Sequence, residues 1–429
     1  MSLPFLILLA VLITLVLLRV PIAIAMVCAG FAYLFAGDRD LGLVVDQIMN
    51  SLFNSYVLLA VPMFILAANV MNAGTISERL WRAADAVVGS KPGGLGHVNV
   101  TVSMIFASMS GSAVADAAGP GMMSIRMMRK VGGYPGGLAV AITAASAVIA
   151  PIIPPSIPMV LYALNTNTSV GALFLAGVLP GLLMGVSLMI TIAIIAPRMN
   201  LPASPKQSAK AVGRALAGAI LPMTLPAVLL GGIWSGVFTP TEAAAVAALW
   251  AVFLGAAVYR VLDFAGVWRV LSGSMRDSVI VMLLIGGAFL INYAVTAERL
   301  DQSLAAVVNN AGLSRWVFLA IINVIFLILG CFFDTGTLIL VVVPMMIPTV
   351  LELGIDPVHF GVMITINIMI GLVTPPFGLL LFVLGGLAKT DLGETVRYLW
   401  PFLIALILCL ALVTYVPMVS LLLPSLFGF

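Results

Sequence analysis

The chain carries little charge: Asp, Glu, Lys and Arg together make up 8% of 429 residues, where an ordinary soluble domain carries about 25%. That scarcity excludes water as the solvent for most of the surface, because 62% of the residues are hydrophobic. Histidine is scarcer still. His97 and His359 are the only two, both near hairpin or helix ends, with no ligand-type spacing or paired carboxylates around them, so neither a metalloenzyme nor an acid–base active site is supported. Cys28, Cys331 and Cys409 all fall in apolar runs, which argues against a disulfide framework or a metal cluster. No GxxxxGK[ST] phosphate loop occurs, so the chain is not itself a P-loop motor. Ser110-Gly111-Ser112 offers hydroxyls but no neighbouring base, which leaves an intramembrane hydrolase without support.

What the chain has instead is apolar length. Runs that can cross a bilayer lie at 3–18, 20–36, 52–73, 136–164, 169–196, 215–232, 240–259, 276–296, 357–388 and 398–424. The first resembles a signal peptide in hydropathy, but no basic residue precedes it and no small-residue cleavage site follows, so it reads as a span. Two more apolar stretches, 95–127 and 315–351, are interrupted at Ser110-Gly111-Ser112 and Asp334-Thr335-Gly336 and are expected to be re-entrant helical hairpins. With ten spans and two hairpins, 16 of the 19 Lys and Arg residues fall on one face. Only Arg39, Arg299 and Arg315 fall on the other. By the positive-inside rule the crowded face is cytoplasmic and both termini are extracytoplasmic.

The chain also repeats itself. A shift of about 220 residues sets TISERLWRAADAVV against TAERLDQSLAAVV, Pro21 against Pro240, and Pro154-Pro155 against Pro375-Pro376, which reads as an internal duplication. The first repeat would occupy 1–200 (hairpin 95–127, broken helix 136–164) and the second 215–429 (hairpin 315–351, broken helix 357–388), joined by a polar cytoplasmic linker at 201–214. Five spans per half is odd, so the second half enters the membrane upside down. Inverted repeats with discontinuous helices at mid-membrane are the architecture of secondary transporters. The predicted fold is therefore an all-α integral membrane protein of two inverted-topology repeats, each five spans plus a re-entrant hairpin. The paired "ERL" segments, 77–90 and 298–311, are amphipathic and too short to span, and read either as plain connectors or as surface helices clasping a mobile unit.

A proline pair inside an apolar segment leaves carbonyls without partners, which is tolerated at membrane depth only where the backbone is buried in protein or lines a cavity. Free carbonyls there are ligands for a small hard cation. Two sites follow: Ser110 and Ser112 with carbonyls around Ala147 to Ile152, and the break from Asp334 to Thr337 with Gly371, Thr374 and their neighbours. The internal alignment sets Ser112 opposite Asp334. A carboxylate amid apolar residues costs several kcal/mol unless a cation or polar groups compensate it, which favours a functional role for Asp334. Asp116 either caps its half-helix or has a role of its own. Glu242 follows Thr239 by three residues, a capping-box spacing. No Lys or Arg falls in a hairpin tip or a break, so an anionic substrate would rest on the half-helix N-termini after Ser112, Pro155, Thr335 and Pro376. Ser156, Asn165 and Asn367 are candidate helpers.

These residues resemble a known family. FASMSGSAVADAAGPG, VIAPIIPPSIPMVLYA, GIDPVHFGVMITINIMIGLVTPPFG and the apolar segment around Asp334 are similar to the large membrane subunit of TRAP transporters, the tripartite ATP-independent periplasmic family, from about residue 1 to residue 424. The resemblance implies a sodium-coupled importer in a bacterial inner membrane. It implies two partners, a periplasmic substrate-binding protein and a small four-helix membrane subunit not fused before the first span. It also implies an elevator movement, with sodium held between each hairpin and the broken helix of the same half. Family members often have glycine where this chain has Ala147 and Ala150, a change that a carbonyl ligand survives. Small organic anions, mono- or dicarboxylates, are the expected substrates. The alternative is a stand-alone elevator carrier, cation- or proton-coupled, that needs no binding protein.

Overall fold

The computed structural model describes residues 2–53, 55–73 and 76–429, and among them it contains helices and no strands. Asn54 of the expected 52–73 span and Thr75, the first residue of the repeated stretch TISERLWRAADAVV, lie outside the described residues. Seven of the described helices are long and apolar enough to cross a membrane, among them Val170–Arg198, Ala209–Trp234 and Leu392–Tyr415. Each of the ten apolar runs has its helices, but several are shorter than a straight span. Leu3–Leu17 and Ile22–Ala36 have 15 residues each, roughly 22 Å of helix against a hydrocarbon core of about 30 Å. The two proline-bearing runs are split, as Gly136–Ala147 with Ile157–Thr166 and as Pro357–Gly371 with Leu379–Ala388.

One helix is longer than its apolar run. Phe264–Ala297 extends over 34 residues, so Arg269, which precedes the expected span 276–296, lies on the helix. The reason is local: the Asp263 side chain accepts from Gly266 N at 2.7 Å and caps the helix well before hydropathy rises. Residues 201–208 are irregular and the next helix, Ala209–Trp234, starts inside the expected linker, capped by Ser208. Thr239 and Glu242 form the expected capping box.

The packing separates an inner group of helices from an outer one. Gly136–Ala147 and Pro357–Gly371 are mostly apolar, carry no charged residue and are almost wholly buried, as a helix without a charged face must be. Each packs against the hairpin of its own half, Gly94–Ser110 or Arg315–Phe332. Each also packs against a long helix of the other half, Leu392–Tyr415 or Val170–Arg198. The outer helices exchange in the same way, Ile22–Ala36 against Phe264–Ala297 and Pro240–Phe253 against Ala60–Ala73. The two ERL segments are the short helices Ile76–Val88 and Leu300–Asn310, each resting on its own hairpin.

The chain start is tied to Glu298, just past the end of Phe264–Ala297. Ser2 N donates to Glu298 Oε2 at 3.0 Å, the Ser2 hydroxyl donates to Oε1, and the Tyr33 hydroxyl donates to Oε1 at 3.3 Å. The Ser2 bonds hold the Glu298 carboxyl below its ordinary 4.5. A depressed folded pKa means that this contribution is present above the ordinary value and is lost as pH falls through the folded one. Glu298→Gln is therefore expected to loosen the first turn of Leu3–Leu17 already at pH 6. The wild type should loosen only below about pH 4. Hydrogen exchange at Phe5 and Leu6, corrected for intrinsic rates, checks this; equal protection in both proteins at pH 6 would refute it.

Candidate functional site: one cavity under two hairpin tips

Both hairpins break where the sequence places the interruption, and both restart the same way. After Ser110 the chain turns through Gly111, whose φ of +61° is the left-handed region that glycine occupies without strain. Ser112 then caps the second arm, its hydroxyl accepting from Ala115 N at 3.3 Å. In the other half Asp334 is the cap. Its Oδ2 accepts from Thr337 N at 3.0 Å and its Oδ1 accepts from the Thr337 hydroxyl at 2.5 Å. Ser112 and Asp334 thus hold equivalent positions, one neutral and one ionisable.

The breaks in the broken helices lie against these hairpins. A Cβ on Gly111 would stand 2.4 Å from the Pro155 carbonyl oxygen, so this tip touches the first proline break backbone to backbone. Gly330 and Gly371 meet in the same manner, a Cβ on Gly371 standing 2.6 Å from Gly330 Cα. Both proline pairs, Pro154-Pro155 and Pro375-Pro376, contain cis peptide bonds. Some carbonyls of the breaks keep single turn bonds: Ala147 O accepts from Ala150 N at 3.1 Å, and Gly371 O accepts from Thr374 N at 3.0 Å. A carbonyl has a second lone pair, so these remain able to coordinate. Ala147, Ala150 and Ile152 are fully buried, with the Ile152 carbonyl pressed against Gly177. The Thr374 hydroxyl donates to Ile370 O at 2.7 Å.

A single cavity of about 560 Å³ lies at both tips and beside both breaks, whereas Ala147, Ala150, Ile152, Thr337, Gly371 and Thr374 do not line it. Ser110, Gly111 and Ser112 border it from the first hairpin and Asp334, Thr335 and Gly336 from the second. Pro151, Ile157 and Pro158 border it from the first break, and Leu372 and Leu379 from the second. All four expected half-helix starts therefore reach one space, and its lining contains no Lys or Arg. The donors at the hairpin tips are hydroxyl, carbonyl and carboxylate oxygens, a set suited to a hard cation rather than a soft one. Ser110 is fully buried, whereas Ser112 and Asp334 are partly exposed to the cavity.

The other expected helpers lie elsewhere. The Ser156 hydroxyl donates to Pro151 O and accepts from Met159 N at 3.2 Å, which makes it the cap of Ile157–Thr166. Asn165 Nδ2 donates to Leu340 O at 3.1 Å, tying the first broken helix to the second hairpin. Asn367 is wholly buried against Asn323, its Nδ2 donating to Asn323 Oδ1 at 2.7 Å. Pro155 backs the first hairpin tip and Pro376 is exposed. Sequence reasoning missed Asn69, Asn72 and Asp277, which also line the cavity. Asn69 Nδ2 donates to Asp277 Oδ2 at 3.0 Å. The three-residue spacing of the two asparagines inside an apolar run, one helical face, was the available signal.

Comparison with known proteins agrees with this architecture. The family model described as "Tripartite ATP-independent periplasmic transporter, DctM component" matches residues 9–419. The sialic acid TRAP transporter large permease protein SiaM of Vibrio cholerae is 39% identical over 408 residues, covering 95% of each chain. The C4-dicarboxylate TRAP transporter large permease protein DctM of Pseudomonas aeruginosa is 41% identical over 395 residues, covering 92% of each. Among solved structures, the YdaH transporter of Alcanivorax borkumensis shares the fold with a TM-score of 0.61 at 17% identity, over 87% of this chain and 86% of that one. A chain with seven membrane-length helices among its described residues, two interrupted helical segments over one cavity and a family match from residue 9 to residue 419 belongs to the tripartite ATP-independent periplasmic transporters, as their DctM component.

Proposed function

We propose that the chain is the permease of a sodium-coupled importer for a small organic anion of the carboxylate or dicarboxylate class, delivered by a periplasmic binding protein. The carrying observation is the convergence of both hairpin tips and both helix breaks on one 560 Å³ cavity. A carboxylate there meets helix N-termini, whose free amides and dipoles favour an anion. Coupling follows from placing sodium in the oxygen sets beside the cavity, at Ser110, Ser112 and the carbonyls of Ala147, Ala150 and Ile152, and at Asp334, Thr337, Gly371 and Thr374. Ion and substrate then share the same backbone elements, and each stabilises the arrangement that the other needs.

The reciprocal helix pairings support two inverted repeats, and the separation of inner from outer helices supports an elevator, in which hairpins and broken helices move as one body. The protein sits in a bacterial inner membrane with both termini on the periplasmic side, beside a separate small four-helix subunit.

The test is uptake into proteoliposomes holding this chain and its small subunit, with a labelled C4-dicarboxylate or sialic acid outside. Accumulation should require both an inward sodium gradient and the binding protein. Accumulation without the binding protein would favour the stand-alone carrier, and accumulation indifferent to sodium would sink the coupling.

A further inference from the structure

Inside the first half, two helical turns from the hairpin tip, lies a polar cluster outside both oxygen sets described above. Asn99 and Ser103, one turn apart on the first hairpin arm, face Thr143 and Ser146 of the broken helix and Asp116 of the second arm. Asn99 Nδ2 donates to Thr143 Oγ1 at 3.0 Å and to Ser146 Oγ at 3.3 Å. Ser103 Oγ lies 2.8 Å from Asp116 Oδ2 and 3.1 Å from Ser146 Oγ. Asp116 and Ser146 are 0% exposed, and Asn99 and Ser103 are 1% exposed. Asp116 does not cap its half-helix, since Ser112 does that.

The cluster is incomplete on its acceptor side. Asp116 Oδ1 and Asn99 Oδ1 are both buried without any hydrogen-bond partner. An ionised carboxylate with a single hydroxyl donor from the protein is costly by several kcal/mol. A proton on Oδ2 would remove the charge and donate to Ser103 Oγ, which can pass its own hydrogen to Ser146 Oγ, but it would leave Oδ1 an unpaired buried acceptor. A cation removes the charge and coordinates the orphaned oxygen as well. Nor does the hairpin fold require an acid here: the shift that sets Ser112 opposite Asp334 sets the buried Leu338 opposite Asp116.

We propose that Asp116, Asn99 and Ser103, with Thr143 and Ser146 around them, form a third monovalent-cation site, occupied by sodium and specific to the first half. One carboxylate balances one positive charge, whereas a divalent ion would leave a net charge buried. The all-oxygen set, with neither imidazole nor thiolate, excludes softer metals. The site bridges both hairpin arms and the broken helix, so its ion would hold the three together as one unit. This rests on the sodium-coupled reading above.

The experiment is the melting temperature of the full purified chain as sodium replaces choline at constant ionic strength. Above the dissociation constants, the slope against log sodium counts the ions bound by the folded protein. Asp116→Asn, close to isosteric, should lower that slope by about one third, from three ions to two. Asn99→Leu, which deletes the orphaned amide oxygen while keeping much of the volume, should do the same and stands in should Asp116→Asn fail to fold. A wild-type slope that both variants leave intact overturns the third site, assigns the neutralising charge to a proton and leaves the coupling proposal standing. No sodium-specific slope in the wild type overturns both.

Discussion

Asp334→Asn is expected to remove one sodium ion's worth of thermal stabilisation while leaving the fold intact. Sodium at about one hundred times its dissociation constant stabilises a specific site by roughly 2.7 kcal/mol. The melting advantage of sodium chloride over choline chloride at equal ionic strength should shrink by that amount. The substitution isolates the charge well, because asparagine caps a helix about as well as aspartate and can still accept from Thr337 N, which now bonds Oδ2 at 3.0 Å. A general salt effect would treat wild type and variant alike. An undiminished sodium advantage in the variant would move the coupling ion away from the second hairpin. Sodium-driven uptake should fall with the stabilisation, since an ion that no longer binds cannot transfer its gradient.

Gly371→Ala should damage the same half of the protein by a different route. The new methyl would stand 2.6 Å from Gly330 Cα and 2.8 Å from its carbonyl carbon. Both are backbone atoms where the C-terminal ends of Arg315–Phe332 and Pro357–Gly371 meet, so no side chain can swing aside. Overpacking of this kind costs typically 1–3 kcal/mol, and relief requires the second hairpin to back away from the second broken helix. The variant should therefore melt lower in choline and also gain less from sodium, although every proposed ligand atom is still present. Gly386→Ala is the control, since a Cβ there meets nothing within 4 Å. Equal losses in the two variants would mean that the glycine contact does not position the site.

The helical membrane class, the two interruptions and the capping box at Thr239 were legible because each depends on neighbours in the chain. Asp334 was conspicuous for the same reason, as a lone carboxylate between long apolar runs. Helix ends were read less well. Hydropathy marks the apolar part of Phe264–Ala297 but not its charged first turns, which the Asp263 cap makes helical. Ser156 and Asn367 illustrate the opposite limit. Both are polar residues in apolar surroundings, which is all a sequence reports, yet one closes a helix start and the other joins Asn323 across a helix interface.

By itself the sequence determined that this protein is a bundle of membrane helices interrupted twice in each half, because composition, hydropathy and proline chemistry are properties of the chain. Only the tertiary structure decided that the four interruptions meet over one cavity, that Asn69, Asn72 and Asp277 form part of its wall, and that Asp116 is sealed away with an orphaned oxygen. Those facts depend on which helices pack together. Glycine pairs such as Gly330 with Gly371 allow that approach, and no local pattern along the chain names the partner.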